Sequence, residues 1–416
     1  MNHLFSIKNQ NKFRFFMKSG IQTALMLCIN GTIMQTFLLA VGFDTDQVYT
    51  FATIWEVANV LAILLSSRIA DKGNIIKRSA IFTLPSALLF LLYLPLCNSG
   101  AASTEMFLYL IIVSIFHSVT MGFYTVFEYK LPYYLFHAGE YGSIVTIAGI
   151  ISYIFSFVIG ELLSKLAYVY SYVALMRVVF VCSCILTIVV VMLQLFQKNL
   201  NSSNVKKIKS DSKTKKVPLS KIIKHPAFWQ LFPAHVFRGF ASGTTTVLAV
   251  ICSSRGFQSD VLTRITSVQS IAMLAGCLVT LLMLKYFSSR ILLIFGGVFY
   301  FSFLFLLTSD SNLFLLGCFL ILFGKMWIDN GVADLMVQVV PVEIAGPYNA
   351  IRMAIHHGGT LLATMLAIMI PISALIVITI VSQVIASCIY MWSGILRSNV
   401  PILKKKAGEN EDEEAL

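Results

Sequence analysis

Ionisable side chains are scarce in this sequence. Asp, Glu, Lys and Arg supply 12% of its 416 residues, against about 25% in an ordinary soluble domain. Hydrophobic residues make up 57% and mean hydropathy is +0.82. A soluble fold would have to hide more apolar surface than its cores can hold. Cysteine offers no chemistry either. The eight cysteines include no Cys-x-x-Cys pair and all sit in or beside apolar runs, so they read as packing residues rather than metal ligands or disulfides. No G-x-x-x-x-G-K-[ST] loop is present, which removes nucleotide-driven chemistry. The first apolar run is too long for a signal-peptide core and lacks a small-residue cleavage site. What remains is a chain of apolar runs near 20 residues. That length specifies membrane helices, since barrel strands would alternate over about ten.

Twelve spans are predicted, at 19–43, 48–67, 79–97, 106–127, 143–164, 171–196, 229–252, 265–284, 291–308, 312–338, 349–371 and 372–396, with Pro371 dividing the last two. If the N-terminus lies inside, 24 of the 31 lysines and arginines fall in inside segments and three outside. This bias is the one that cytoplasmic loops carry. The net charge of +12 therefore reports topology and contact with anionic lipid, not nucleic acid. Both termini are expected in the cytoplasm and the protein in the plasma membrane. The predicted organisation is an N-tail (1–18), a six-helix bundle (19–196), a Lys-, Ser- and Asn-rich linker (197–228), a second bundle (229–396) and a C-tail (397–416).

The two bundles carry traces of a duplication. Pro132 and Pro341, 209 residues apart, both follow a fourth span; Tyr141-Gly-Ser-Ile and Tyr348-Asn-Ala-Ile, 207 apart, both open a fifth. The loop after the second span reads Ser67-Arg-Ile-Ala-Asp71-Lys72-Gly73-Asn-Ile-Ile-Lys77-Arg78. With twelve spans, a central linker and this loop, the chain resembles the major facilitator superfamily, although Ser67 stands where the family has glycine. The resemblance implies an all-α membrane protein of two pseudo-symmetric six-helix bundles. It also implies a cytoplasmic gate in which Asp71, with Lys72 and Arg78, faces the start of the eleventh helix, where a carboxylate gains from the helix dipole. The Gly-Pro motif of drug antiporters is absent from the fifth span, and the fourth contains no Arg.

Polar residues inside such spans face a cavity or a partner, because an ion in hydrocarbon costs at least about 2.5 kcal/mol. Ser114, His117, Met121, Tyr124 and Glu128 form one helical face of the fourth span, and His235, Arg238, Ser242 and Thr245 one face of the seventh. Lys325 and Asp329 lie four apart in the tenth. The first contributes Asn30 and Gln35, the eleventh Arg352 and His356, and the second Glu56. By the resemblance, the first, fourth, seventh and tenth helices line the central cavity. Arg238 lies about 12 Å into its span at 1.5 Å per residue, and His117 and Lys325 are near-equivalents in the two halves.

The expected substrate site is thus Arg238, His117, Lys325, Gln35, Asn30, Tyr124, His235 and His356, with Glu56 and Asp329 as proton-coupling groups. Other arrangements stay open: Lys325 neutralised by Asp329, Arg238 latched to Glu56 across the halves, and Glu161 paired with Arg177. The expected function is secondary active transport of a small organic solute, anionic and proton-coupled, by a monomer without cofactor. The alternatives are efflux of amphipathic or cationic drugs, a transporter-like sensor or scaffold, and a membrane-embedded acyltransferase. No Ser/His/Asp or Cys/His constellation supports the last, so no enzyme activity is expected.

Overall fold

Apolar residues all round a helix leave it nothing to pair with in lipid but itself, and the chain answers with helices that satisfy their own backbones. The computed structural model describes residues 7–67, 74–98, 102–136, 141–167, 169–198, 223–257, 259–340 and 342–394, with no strand among them. Among the described residues twelve helical spans follow one another. The first is Ile7–Leu27 continued by Thr32–Val41, then come Thr45–Ser67, Ile75–Leu91, Thr104–Leu135, Tyr141–Leu166 and Tyr172–Leu195. The seventh is Pro226–Thr246 continued by Leu248–Ser254, followed by Ser259–Tyr286, Ser289–Val298, Ser311–Val339, Val342–Met369 and Ile372–Trp392. Pro371 caps the twelfth span, as its fixed backbone allows at a helix start. Gly42 ends the first in the left-handed region, φ 107°, and Phe43 N–H closes the turn on Leu38 O at 3.1 Å.

The first span starts earlier than the sequence predicted, at Ile7 instead of residue 19. Lys18, expected in the N-tail, is fully buried and bonds both oxygens of Glu128 on the fourth span at 2.5 Å. A buried lysine needs such a partner.

The peripheral third, sixth, ninth and twelfth spans share a device. Each ends on a carbonyl that accepts from an arginine of another span or its flank. Arg177 donates to Cys97 O at 3.0 Å, Arg14 to Phe196 O, Arg255 to Leu307 O and Arg290 to Met391 O. Orphan carbonyls and the negative helix end both favour a guanidinium there. Arg177 is thereby committed to Cys97 and Asn98 rather than to Glu161, which corrects the sequence expectation. The arginines tie each half into a unit.

Between the halves the second span packs on the eleventh and the fifth on the eighth. Away from the termini, Thr32–Val41 meets Leu248–Ser254 and the eighth span. Both continuations follow a break: at 28–31 in the first span, and a 54° bend in the seventh. Gln35 Nε2 donates to Thr246 O, at that bend, over 2.6 Å, and Thr32 shares a 2.8 Å hydroxyl contact with Thr266. These bonds close the far face.

Candidate substrate site

Close backbone approach builds the centre of the C-terminal half. A Cβ on Gly239 would meet the His356 carbonyl, one on Gly243 would lie 2.8 Å from Thr360 Cα, and Gly359 abuts Val236 and Phe240 in return. Small residues let the seventh and eleventh spans touch along their backbones, and Thr360 Oγ1 donates to Gly239 O at 3.1 Å. The contact sets His235 and Arg238 of one helix beside His356 of the other.

Arg238 is buried, 6% exposed, and donates through Nη2 to Asp329 Oδ1 on the tenth span. Lys325 Nζ reaches the other oxygen, Oδ2, at 2.5 Å. One carboxylate thus bridges two cations and leaves a formal surplus of +1. Arg352 lies within electrostatic reach of both His235 and His356, and Tyr300 and Tyr390 within reach of Arg238. Nε and Nη1 of Arg238, both nitrogens of His235 and Nδ1 of His356 have no hydrogen-bond partner among the described residues. Buried polar atoms without partners cost free energy; the two arginine nitrogens are donors suited to an anion, and each neutral imidazole offers one donor and one acceptor. Asp329 keeps 26% of its side chain exposed, so the centre borders open space.

The structure brings Arg238, Lys325, Asp329, His235 and His356 together and separates the rest. His117 is enclosed by aromatic rings, with centroids 5.1 Å from Phe90, 5.8 Å from Tyr93 and 5.9 Å from Trp55. Tyr124 packs by the Lys18–Glu128 pair, its ring 5.9 Å from Lys18 Nζ. Gln35 belongs to the far-face closure, and Asn30 lies in the break of the first span. Asp71 and Lys72 lie outside the described residues, whereas Arg78 stands in the first turn of the third span. The latch foreseen between Arg238 and Glu56 is not formed, because Arg238 turns to Asp329 within its own half. Glu56 is bound instead by His357 Nδ1 at 2.9 Å.

His357 is the residue that sequence reasoning passed over. Its neighbour His356 fits the polar stripe of the eleventh span, and adjacent helix positions point about 100° apart. The signal was the unpartnered Glu56: a buried carboxylate on the second span calls for a donor on whichever helix covers it.

A pocket of about 180 Å³ opens between the halves, lined by Thr23, Met26 and Leu27 of the first span, Tyr153 and Ser156 of the fifth, and Gln269, Ser270 and Met273 of the eighth. No lining side chain is charged. Tyr153 joins it to the ionic centre, since its hydroxyl donates to Met326 Sδ at 3.3 Å and senses Asp329 electrostatically.

Two six-helix halves packed on each other, one of them holding a buried ionic centre, define a polytopic helical membrane protein. The model of the Major Facilitator Superfamily matches residues 16–364, and the chain belongs to that superfamily. Among solved structures it is similar to the xylose transporter from E. coli in a partially occluded inward-open conformation (13% identity, TM-score 0.70, covering 93% of this chain and 99% of that one). It is also similar to a D-xylose-proton symporter (14%, 0.67, 94% and 97%). A third is a bacterial homologue of the iron transporter ferroportin in the outward-facing state (13%, 0.66, 93% and 99%). At such identities the likeness is one of fold. No curated protein matches the chain.

Proposed function

We propose that this protein carries a small organic anion across the plasma membrane by proton-coupled alternating access, with both termini cytoplasmic and the monomer as the working unit. One observation carries the reading: Arg238 and Lys325 converge on a single carboxylate and leave surplus positive charge and two buried guanidinium donors without a partner among the described residues. A carboxylate or phosphate on the solute would take up those donors, because a planar guanidinium suits bidentate contact. Asp329 then serves as the internal counter-ion that the solute displaces. The uncharged pocket beside it would hold the rest of the molecule. At about 180 Å³ it falls below the roughly 300–1,000 Å³ of drug-sized sites, which favours a small cargo. The lysine and arginine bias supports the orientation, and Asp71, Lys72 and Arg78 remain the proposed cytoplasmic gate.

The test is uptake of a panel of radiolabelled mono- and dicarboxylates and organic phosphates by proteoliposomes, at two external pH values. Transport should occur for at least one anion and vanish in Arg238→Gln. Transport of neutral or cationic compounds alone would refute the reading. That outcome would favour efflux of amphipathic compounds, for which the Met- and Tyr-lined pocket speaks.

A further inference from the structure

Four ion pairs are formed among the described residues, and three lie within one half: Lys18–Glu128, Arg238–Asp329 and Lys325–Asp329. The fourth, His357–Glu56, joins the second span to the eleventh and so crosses from one half to the other. From this placement we propose that Glu56 and His357 form the site that binds the coupling proton, and that the proton bound there holds the seam between the halves shut. The inference rests on the transport reading above and selects between its two proton-coupling candidates.

Asp329 is the poorer carrier. It already accepts from two cations, and a proton placed on it would break both contacts and leave two positive charges facing each other. Among the described residues no lysine or arginine bonds Glu56; its ion-pair partner is a histidine. Its own oxygen accepts from His357 Nδ1 at 2.9 Å, and Asn59 Nδ2 lies 3.5 Å from the same nitrogen. Glu56 is buried with 6% of its side chain exposed, whereas His357 keeps 20%, so a proton has a way in on the histidine side. Histidine is also the side chain whose ordinary titration falls near neutrality.

The surroundings set the sign of coupling. Around His356, which adjoins His357, stand Arg352 on the same helix, Arg238 on the seventh span and Lys325 on the tenth, and His235 of the seventh lies near Arg238 and Arg352. On the far side of Glu56 the second span packs on the fourth, where Tyr124 and Glu128 are occupied with Lys18. Arg238, Lys325 and Arg352 disfavour further positive charge beside His356, the chain neighbour of His357. A solute anion seated on Arg238 would offset that repulsion. Anion and proton therefore help each other to bind, which by reciprocity is symport logic. With His357 protonated, the pair is an ion pair across the seam; with His357 neutral, only the carboxylate is charged and the bond weakens.

Hydrogen–deuterium exchange of the full chain in lipid nanodiscs, at pH 6 and pH 8 and corrected for intrinsic rates, tests this without a solute. Peptides of the second and eleventh spans should exchange several-fold faster at pH 8. The difference should vanish in His357→Gln and in Glu56→Gln, the second of which keeps side-chain size and hydrogen-bonding capacity. It should persist in Glu128→Gln, which alters a pair inside one half. An absent pH difference in the parent protein, or one that survives in His357→Gln, overturns the proposal. Loss of anion transport with this pH response intact would sink the anion reading and leave the proton site standing.

Discussion

Replacing Asp329 by Asn removes the one negative charge that Arg238 and Lys325 share. At 2.5 Å, the Lys325–Asp329 attraction amounts to about 7 kcal/mol with an effective dielectric near 20. Desolvation consumes most of that, so the measurable loss on breaking a buried pair is about 3–5 kcal/mol. Asp329 retains 26% exposure, which places the expected loss at the lower end, about 3 kcal/mol. Asparagine can still accept from one cation, but the two positive charges then confront each other. Neutralising one should relieve them: Asp329→Asn combined with Lys325→Gln should recover at least half of the loss. The assay is thermal unfolding of purified protein in detergent, followed by size-exclusion fluorescence. For a chain this long each kcal/mol shifts Tm by less than the roughly 2–4 °C of a 150–250-residue domain, so a fall of about 5 °C is expected in the single variant. An unchanged Tm, or a double variant less stable than the single, would refute the three-residue arrangement.

Three further outcomes follow from the packing. Gly239→Ala should cost about 1–3 kcal/mol by overpacking and abolish transport, because its methyl would strike the His356 carbonyl; Gly358→Ala, whose added carbon meets nothing within 4 Å, should be tolerated, and parallel thermal and uptake measurements compare them. Arg177→Ala, which uncaps the third span at Cys97, should lower stability by about 1 kcal/mol without changing the pH dependence of exchange at the second and eleventh spans. Ser270→Phe, which fills the pocket beside Tyr153, should block uptake with Tm shifted little, and normal uptake by that variant would remove the pocket from the solute's path.

The spans, the doubling of the bundle and the membrane class were legible in the chain, because run length and hydropathy are local properties that lipid enforces helix by helix. Pro371 marked the last boundary on the same grounds. Lys18 misled because a lysine at the edge of an apolar run looks solvated until its partner, 110 residues away, is known. The polar stripe of the seventh span is buried along its length, whereas the stripe of the fourth divides between two surroundings: helical spacing puts His117 and Glu128 on one face, but spacing cannot tell an aromatic enclosure from an open cavity.

Sequence alone thus determined on which helices Arg238, Lys325, Asp329 and Glu56 would be held, since an ion within an apolar run has to ride on the helix that the run forms. Which ion meets which was decided by tertiary structure. Glycines 239, 243 and 359 bring two backbones into contact, Asp329 turns inward to serve Arg238 as well as Lys325, and the seam brings His357 against Glu56. Pairing is a matter of a few ångströms between residues up to 301 positions apart, and only packing sets distances on that scale.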